Sequence, residues 1–190
     1  FKTLPVEILF NPPNPISQRI VINRGSNDGL KLGNPIANDA GILGQVVRLY
    51  ERSAEVSLLE DRDFAVPVQV ARNGLRAAVF GAGRGNPLEL RYLPVASDLE
   101  VGDVLLTSGI DGVYPPGFAV AVISKIERNV DKNSSNVFCE PVAAVNRYRQ
   151  ALALLYDPQF DAKAPSNNKT TSGAPSNTPG RRQTRARGMQ

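Results

Sequence analysis

Histidine is absent from this sequence, tryptophan is absent too, and there is a single cysteine, Cys139. Without histidine there is no Ser-His-Asp or Cys-His nucleophile, no imidazole general base and no histidine metal ligand. A lone cysteine closes no internal disulfide. Flanked by Val137, Phe138, Glu140 and Val142, Cys139 reads as a small buried strand residue, compatible with an oxidising or a reducing compartment. No apolar run reaches the roughly 18 residues of a transmembrane helix, and no signal peptide is visible. The chain starts at Phe1 rather than Met, so a fragment is expected, with any anchor or targeting segment upstream. Charge of one sign is also scarce in the body. Of 22 basic and 18 acidic residues, the stretch 161–190 holds six basic residues against Asp161 alone, which leaves the first 160 residues near neutrality. A body without clustered basic residues offers no nucleic-acid face.

What the chain does have is glycine and proline, 16 and 15 residues, set between short β-prone runs. The stretch Val101–Ile123, VGDVLLTSGIDGVYPPGFAVAVI, is the clearest case: two strands joined by a loop that Pro115 and Pro116 stiffen and that Gly112 and Gly117 allow to turn. Strands are also expected at Val6–Phe10, Arg19–Asn23, Pro35–Asn38, Ile42–Tyr50, Ala54–Leu59, Ala65–Ala71, Leu75–Phe80, Leu88–Leu93, Val137–Val142 and Ala151–Tyr156. The alternation of Val66, Val68 and Val70 with Pro67, Gln69 and Ala71 is the two-residue period of a half-buried strand. Gly25 and Gly29 bound a tight turn, Gly44 inside its strand marks a bulge or bend, and Leu99 and Val101 are expected inward pins. A brief helical turn is expected near Asn146. About twelve short strands between Gly/Pro turns give an all-β sandwich or barrels. Residues 159–190, rich in Ser, Asn, Thr, Pro and Arg, bury too little apolar surface to offset ordering and read as a disordered basic tail.

Candidate chemistry is thin. Ser108 has no base and reads as a turn hydroxyl. Glu60, Asp61 and Asp63 crowd together, but Arg62 lies between them and no calcium-loop spacing follows. Gly81–Gly85 matches a phosphate loop only in glycine content. The expectation is no catalytic residue, no cofactor and no metal.

The runs IVINRGSNDGLKLGNPI, GILGQVV, DRDFAVPVQV, RAAVFG and above all VGDVLLTSGIDGVYPPGFAVAVI resemble the MreC family of bacterial rod-shape-determining proteins over about residues 5–156. The resemblance implies two small six-stranded β-barrels, similar to those of chymotrypsin-like proteases but non-catalytic. It implies a place on the periplasmic face of the inner membrane, with an upstream transmembrane anchor. Implied partners are the elongation-specific penicillin-binding protein, MreD, RodA, the actin-like MreB through a cytoplasmic segment, and further copies of the chain. The function expected is a scaffold that organises peptidoglycan synthases and self-associates to maintain rod shape. The alternative is a peptidoglycan- or carbohydrate-binding β-domain, and a hydrolase is disfavoured for want of a nucleophile and base.

On that frame, residues 1–64 supply five strands of a first barrel, 65–143 an inserted second barrel, and 144–158 a returning strand that closes the first. The competing arrangement is sequential, with the last strand on the second barrel. Barrels this small are marginal alone, so a packed interface between them is expected. Apolar anchors for partners or self-association are expected at Tyr92, Leu99, Ile110, Tyr114 and Phe118, and open strand edges as a further route to homotypic pairing. The loops that shape the surface are placed at Gly25, Gly29, Gly44, Pro115, Pro116 and Gly117.

Overall fold

The computed structural model describes residues 1–10, 17–93, 96–129, 134–144 and 149–157. The helical turn expected near Asn146 and the tail from 159 lie outside these residues. Twelve strands are described: β1 (Lys2–Phe10), β2 (Arg19–Ile22), β3 (Pro35–Ala37), β4 (Ile42–Leu49), β5 (Ala54–Leu58), β6 (Ala65–Val70), β7 (Arg76–Phe80), β8 (Leu88–Arg91), β9 (Val104–Thr107), β10 (Ala119–Asn129), β11 (Ser134–Pro141) and β12 (Gln150–Leu155). Among these residues the one helical element is a 3-10 turn, Ser26–Asp28, where the sequence reads as a tight turn. Asp28 accepts the Gly25 amide at 3.0 Å and closes it.

The strands form two closed, antiparallel, six-stranded barrels. The first runs β1-β12-β3-β4-β5-β2 and the second β10-β11-β8-β7-β6-β9. β12 therefore returns across the whole second barrel to lie between β1 and β3, with Val6 opposite Ala151 and Leu152 opposite Ala37. β1 and β3 do not pair with each other, and the returning chain fills the gap between them. Closure also removes terminal edge strands from both sheets, so the open edges expected as pairing sites are not there. Strand flanks stay free where a strand outruns its neighbour: β10 pairs with β9 only as far as Val122 while its pairing with β11 continues to Asn129.

Alternation decides which residues go inside. Val66, Val68 and Val70 are buried while Ala65 and Gln69 face outward. At β3–β4 the register slips between Ile36 and Ala37, which face Gly44 and Ile42, so Leu43 is the extra residue of a bulge. The two cores are not separate. Ala37, Ile42, Leu59 and Leu154 of the first barrel belong to the same apolar cluster as Leu105, Tyr114 and Val120 of the second. The close approach is set at Gly41, where a Cβ would lie 2.2 Å from the Ala119 carbonyl oxygen. No sequence rule pointed to Gly41, because its role exists only across the barrel interface.

Candidate interaction surface

The loop from Thr107 to Phe118 is built around one hydroxyl. Thr107 is fully buried, and its Oγ1 donates to the Pro115 carbonyl at 2.6 Å and accepts the Phe118 amide at 2.9 Å. Its backbone does the same work, accepting from Gly117 N–H at 2.9 Å and donating to Phe118 O at 2.8 Å. Within the loop, Asp111 Oδ1 accepts the amides of Val113 and Tyr114 at 3.1 and 3.3 Å. Gly117 sits at φ 92°, a conformation that costs a side-chain-bearing residue about 1–3 kcal/mol. Gly29 also has positive φ, whereas the backbone of the β4–β5 turn passes too close for a side chain at Gly25, and that of β5 too close at Gly44. Ser108 Oγ accepts the Ile110 amide at 3.4 Å, a turn hydroxyl as the sequence suggests.

Two of the five expected anchors prove to be core. Tyr114 is 2% exposed and plugs the space between the barrels, where its O–H donates to Gln45 Oε1 at 3.3 Å. Burial, with the Asp111 charge second, pushes that phenol well above its ordinary range. Leu99 is 6% exposed. It is carried inward because Arg72 clamps the segment around it, donating to both carboxylate oxygens of Asp103 at 2.9 and 3.0 Å and to Asp98 at 2.8 Å. Hydrogen bonds from Arg72 hold both carboxyls below their usual range. Val101, expected to point inward, is instead exposed. Its neighbour Gly102 bonds back to Ile123, and the turn throws Val101 outward.

The other three reach the surface to different degrees. Ile110, at the loop tip, is 64% exposed. Phe118 is half-buried, its ring 5.9 Å from that of Phe1, which also meets Tyr156 at 6.1 Å. Tyr92 is 78% exposed and is held there by its own backbone, at φ 62°. A bulky residue in this region is a genuine outlier. Its ring lies edge-on to Phe80 at 5.7 Å, and the Arg91 guanidinium covers the Phe80 face at 4.7 Å. The result is an exposed Tyr-Phe-Arg group on the second barrel, of which the sequence marked only Tyr92.

Among the described residues reactive chemistry does not assemble. Asp61 is buried and accepts the amides of Gln18 and Asp63 at 3.1 Å each, which makes it a turn-forming group. No cluster of metal-ligating side chains occurs among the described residues, and no helix there is long and apolar enough to cross a membrane. An open groove of about 610 Å³ lies on the outside of the first barrel, over β1 and β12.

Comparison with known proteins agrees with this architecture. The family model for rod shape-determining protein MreC, barrel core, matches residues 8–154. The cell shape-determining protein MreC of Escherichia coli strain K12 is 36% identical over 148 residues, 78% of this chain and 40% of that protein. This chain thus spans about two fifths of that relative's length. The crystal structure of MreC from Pseudomonas aeruginosa superposes with a TM-score of 0.77 at 39% identity, covering 81% of this chain and 99% of that one. The MreC of a Helicobacter pylori complex with Penicillin-Binding Protein (PBP2) shares the fold, with a TM-score of 0.64 at 17% identity over 80% of this chain and 96% of that one. With two closed barrels in place and the family match running from β1 into β12, the chain belongs to the MreC family of rod shape-determining proteins.

Proposed function

We propose that this chain is a non-catalytic scaffold of the cell-elongation machinery, which binds a penicillin-binding protein and organises peptidoglycan synthases. The observation that carries the reading is Tyr92. An aromatic side chain held almost fully in solvent, at a backbone cost of about 1–3 kcal/mol, is retained more readily when a partner uses it. Tyrosine and arginine are also the residue types that dominate binding hot spots. The complex formed by the Helicobacter pylori relative gives the partner class. Ile110 and Phe118 are the further proposed contacts, presented by a loop that Thr107 fixes. For the whole protein, the proposal extends to a periplasmic position at the inner membrane held by an anchor, to MreD, RodA and MreB as partners, and to self-association. A sugar-binding role has less support, because the groove on the first barrel is lined by no aromatic ring on which a sugar would stack.

The test is a pull-down of the elongation-specific penicillin-binding protein of the same bacterium with Tyr92→Asn, Ile110→Asp and Leu99→Asp. Asparagine tolerates positive φ, so Tyr92→Asn keeps or raises the melting temperature while reducing capture. Ile110→Asp reduces capture without unfolding, and Leu99→Asp unfolds. Unchanged capture by both surface variants would remove the proposed surface.

A further inference from the structure

The groove on the first barrel is shaped by the pairing of its strands. Pro5 stands opposite Leu152 and Glu7 opposite Gln150 across the β1–β12 ladder, and Leu152 is also opposite Ala37 on β3. Outward-facing Pro5 and Leu152 make an apolar floor, and Leu152 is one of the few large aliphatic side chains this barrel leaves in solvent. Asn23 and Arg24 wall one side, Asn38 and Asp39 the other.

Two features of the walls point to a ligand. First, Asn23 Oδ1 accepts the Glu7 amide at 2.8 Å, and Asn38 Oδ1 accepts those of Ala40 and Gly41 at 2.9 and 3.1 Å. Both carboxamide oxygens are therefore committed to the protein's own backbone, and each NH2 is left as a fixed donor with no partner among the described residues. Second, the carboxylates of Glu7 and Asp39 have no ion-pair or hydrogen-bond partner among the described residues, whereas Arg24 is partly neutralised by Asp28 at 3.9 Å. The groove thus carries two negative charges on either side of β12, two strand spacings or roughly 10 Å apart, against the one Arg24 guanidinium that Asp28 shares.

We propose that this groove binds an extended peptide segment carrying two basic side chains three residues apart. In an extended polyproline II segment three residues cover about 9 Å and return the side chain to the same face, which matches the separation of the carboxylates. The backbone carbonyls of such a segment take the NH2 donors of Asn23 and Asn38. The aliphatic stems of its lysines or arginines lie along Pro5 and Leu152 while their charged ends reach Glu7 and Asp39. A volume of about 610 Å³ is in the range of peptide and small-ligand sites. The site is on the opposite barrel from Tyr92 and stands apart from the proposed scaffold contacts.

The experiment titrates the 190-residue chain, isotopically labelled, with Ac-Lys-Ala-Ala-Lys-NH2, with Ac-Glu-Ala-Ala-Glu-NH2 and with spermidine, following amide shifts. The dibasic peptide is expected to move the amides of Glu7, Asn38, Gln150 and Leu152 in a saturable way and to weaken as salt is added. The double variant Glu7→Gln/Asp39→Asn removes two exposed charges that support no other contact. It should keep the wild-type melting temperature and lose about five- to tenfold in affinity, the size expected of two solvent-exposed ion pairs. No saturable binding of the dibasic peptide at millimolar concentration overturns the proposal. So does equal binding by the double variant, equal binding of the acidic peptide, or spermidine matching the peptide, since a simple polyamine would use neither floor nor amides.

Discussion

Replacing Thr107 by valine removes one oxygen and leaves the shape of the side chain almost unchanged, which isolates the hydroxyl's contribution. That oxygen is the only hydrogen-bond partner of the buried Pro115 carbonyl and of the Phe118 amide among the described residues. In Thr107→Val both groups stay in place, because the backbone bonds from Thr107 to Gly117 and Phe118 persist. The two groups lose their partner. An unsatisfied buried polar group costs about 1–3 kcal/mol. The Pro115 oxygen, 2.6 Å from its donor in a buried site, belongs at the upper end, and the partly buried Phe118 amide at the lower. The sum is about 4 kcal/mol. For a cooperative unit of this size that is a fall of about 8–16 °C in Tm. Thr107→Ser is the control. It keeps both bonds and gives up one methyl group, about 1 kcal/mol.

Thermal melts followed by circular dichroism, with urea titrations to check the free energies, read both variants. The reasoning fails if Thr107→Val melts within about 1 °C of wild type, or if Thr107→Ser falls as far as Thr107→Val. A second readout follows from position. Ile110 is presented by the loop that this hydroxyl closes, so penicillin-binding protein capture should drop in Thr107→Val and hold in Thr107→Ser at a temperature where both remain folded.

The remaining expectations concern other parts of the frame. Arg72 depresses the folded-state pKa of Asp103 and Asp98, so the brace contributes fully above their unfolded pKa of about 3.9 and its contribution is lost as pH falls through the lower folded values. Urea titrations from pH 7 to pH 3 should therefore show a shallower acid limb in Asp103→Asn, and an unchanged limb would refute the brace. Burial pushes the Cys139 thiol up to about 12, so at pH 8 a disulfide reagent should label it only as fast as the barrel unfolds; prompt labelling of the native chain would contradict its placement. Gly44→Ala places a Cβ 2.0 Å from the Ser57 carbonyl oxygen, which parts the β4–β5 ladder and should cost more than about 3 kcal/mol. Gly29→Ala meets no atom within 4 Å and carries only its positive φ, so it should cost about 1–2 kcal/mol. Equal melts for the two would show that ladder spacing is not what excludes a side chain at Gly44.

Much of the fold is legible in the chain because a small closed barrel imposes the same rule on every strand. Val66, Val68 and Val70 alternate, are β-branched, and are buried. Gly25–Gly29 turns where its glycines permit, and Gly44 sits beside the bulge its place in the strand suggested. The strand count carries topological information as well, since five strands before residue 60 leave the six-stranded barrel that the resemblance implies one short, and the only run left over is the last. Strand ends are less legible. Pairing stops where the partner stops, so the sequence overran β3, β5 and β8 by one or two residues, carried β10 through Ile126 where it reaches Asn129, and started β11 three residues late.

The site residues were harder to read for a definable reason: their exposure is decided where alternation ends. By the two-residue period, Tyr92 follows Leu88 and Leu90, both buried, and belongs inside with them. One backbone angle, φ 62° at Tyr92 itself, reverses that and puts the ring in solvent. A tyrosine gives no local sign of such a conformation, whereas Gly117 does. Leu99 and Tyr114 show the converse. Both lie in irregular segments, where an apolar side chain has no period to follow, and each is drawn inward by a distant partner: Arg72 clamping Asp98 and Asp103 around Leu99, and Gln45 across the barrel interface from Tyr114. Those partners are 26 to 69 residues away in the chain, beyond the reach of any local pattern. A reading from local pattern alone can therefore identify which residues are unusual, Tyr92 and Tyr114 alike, but the side of the surface on which each one lands is set by contacts that exist only after both barrels have closed.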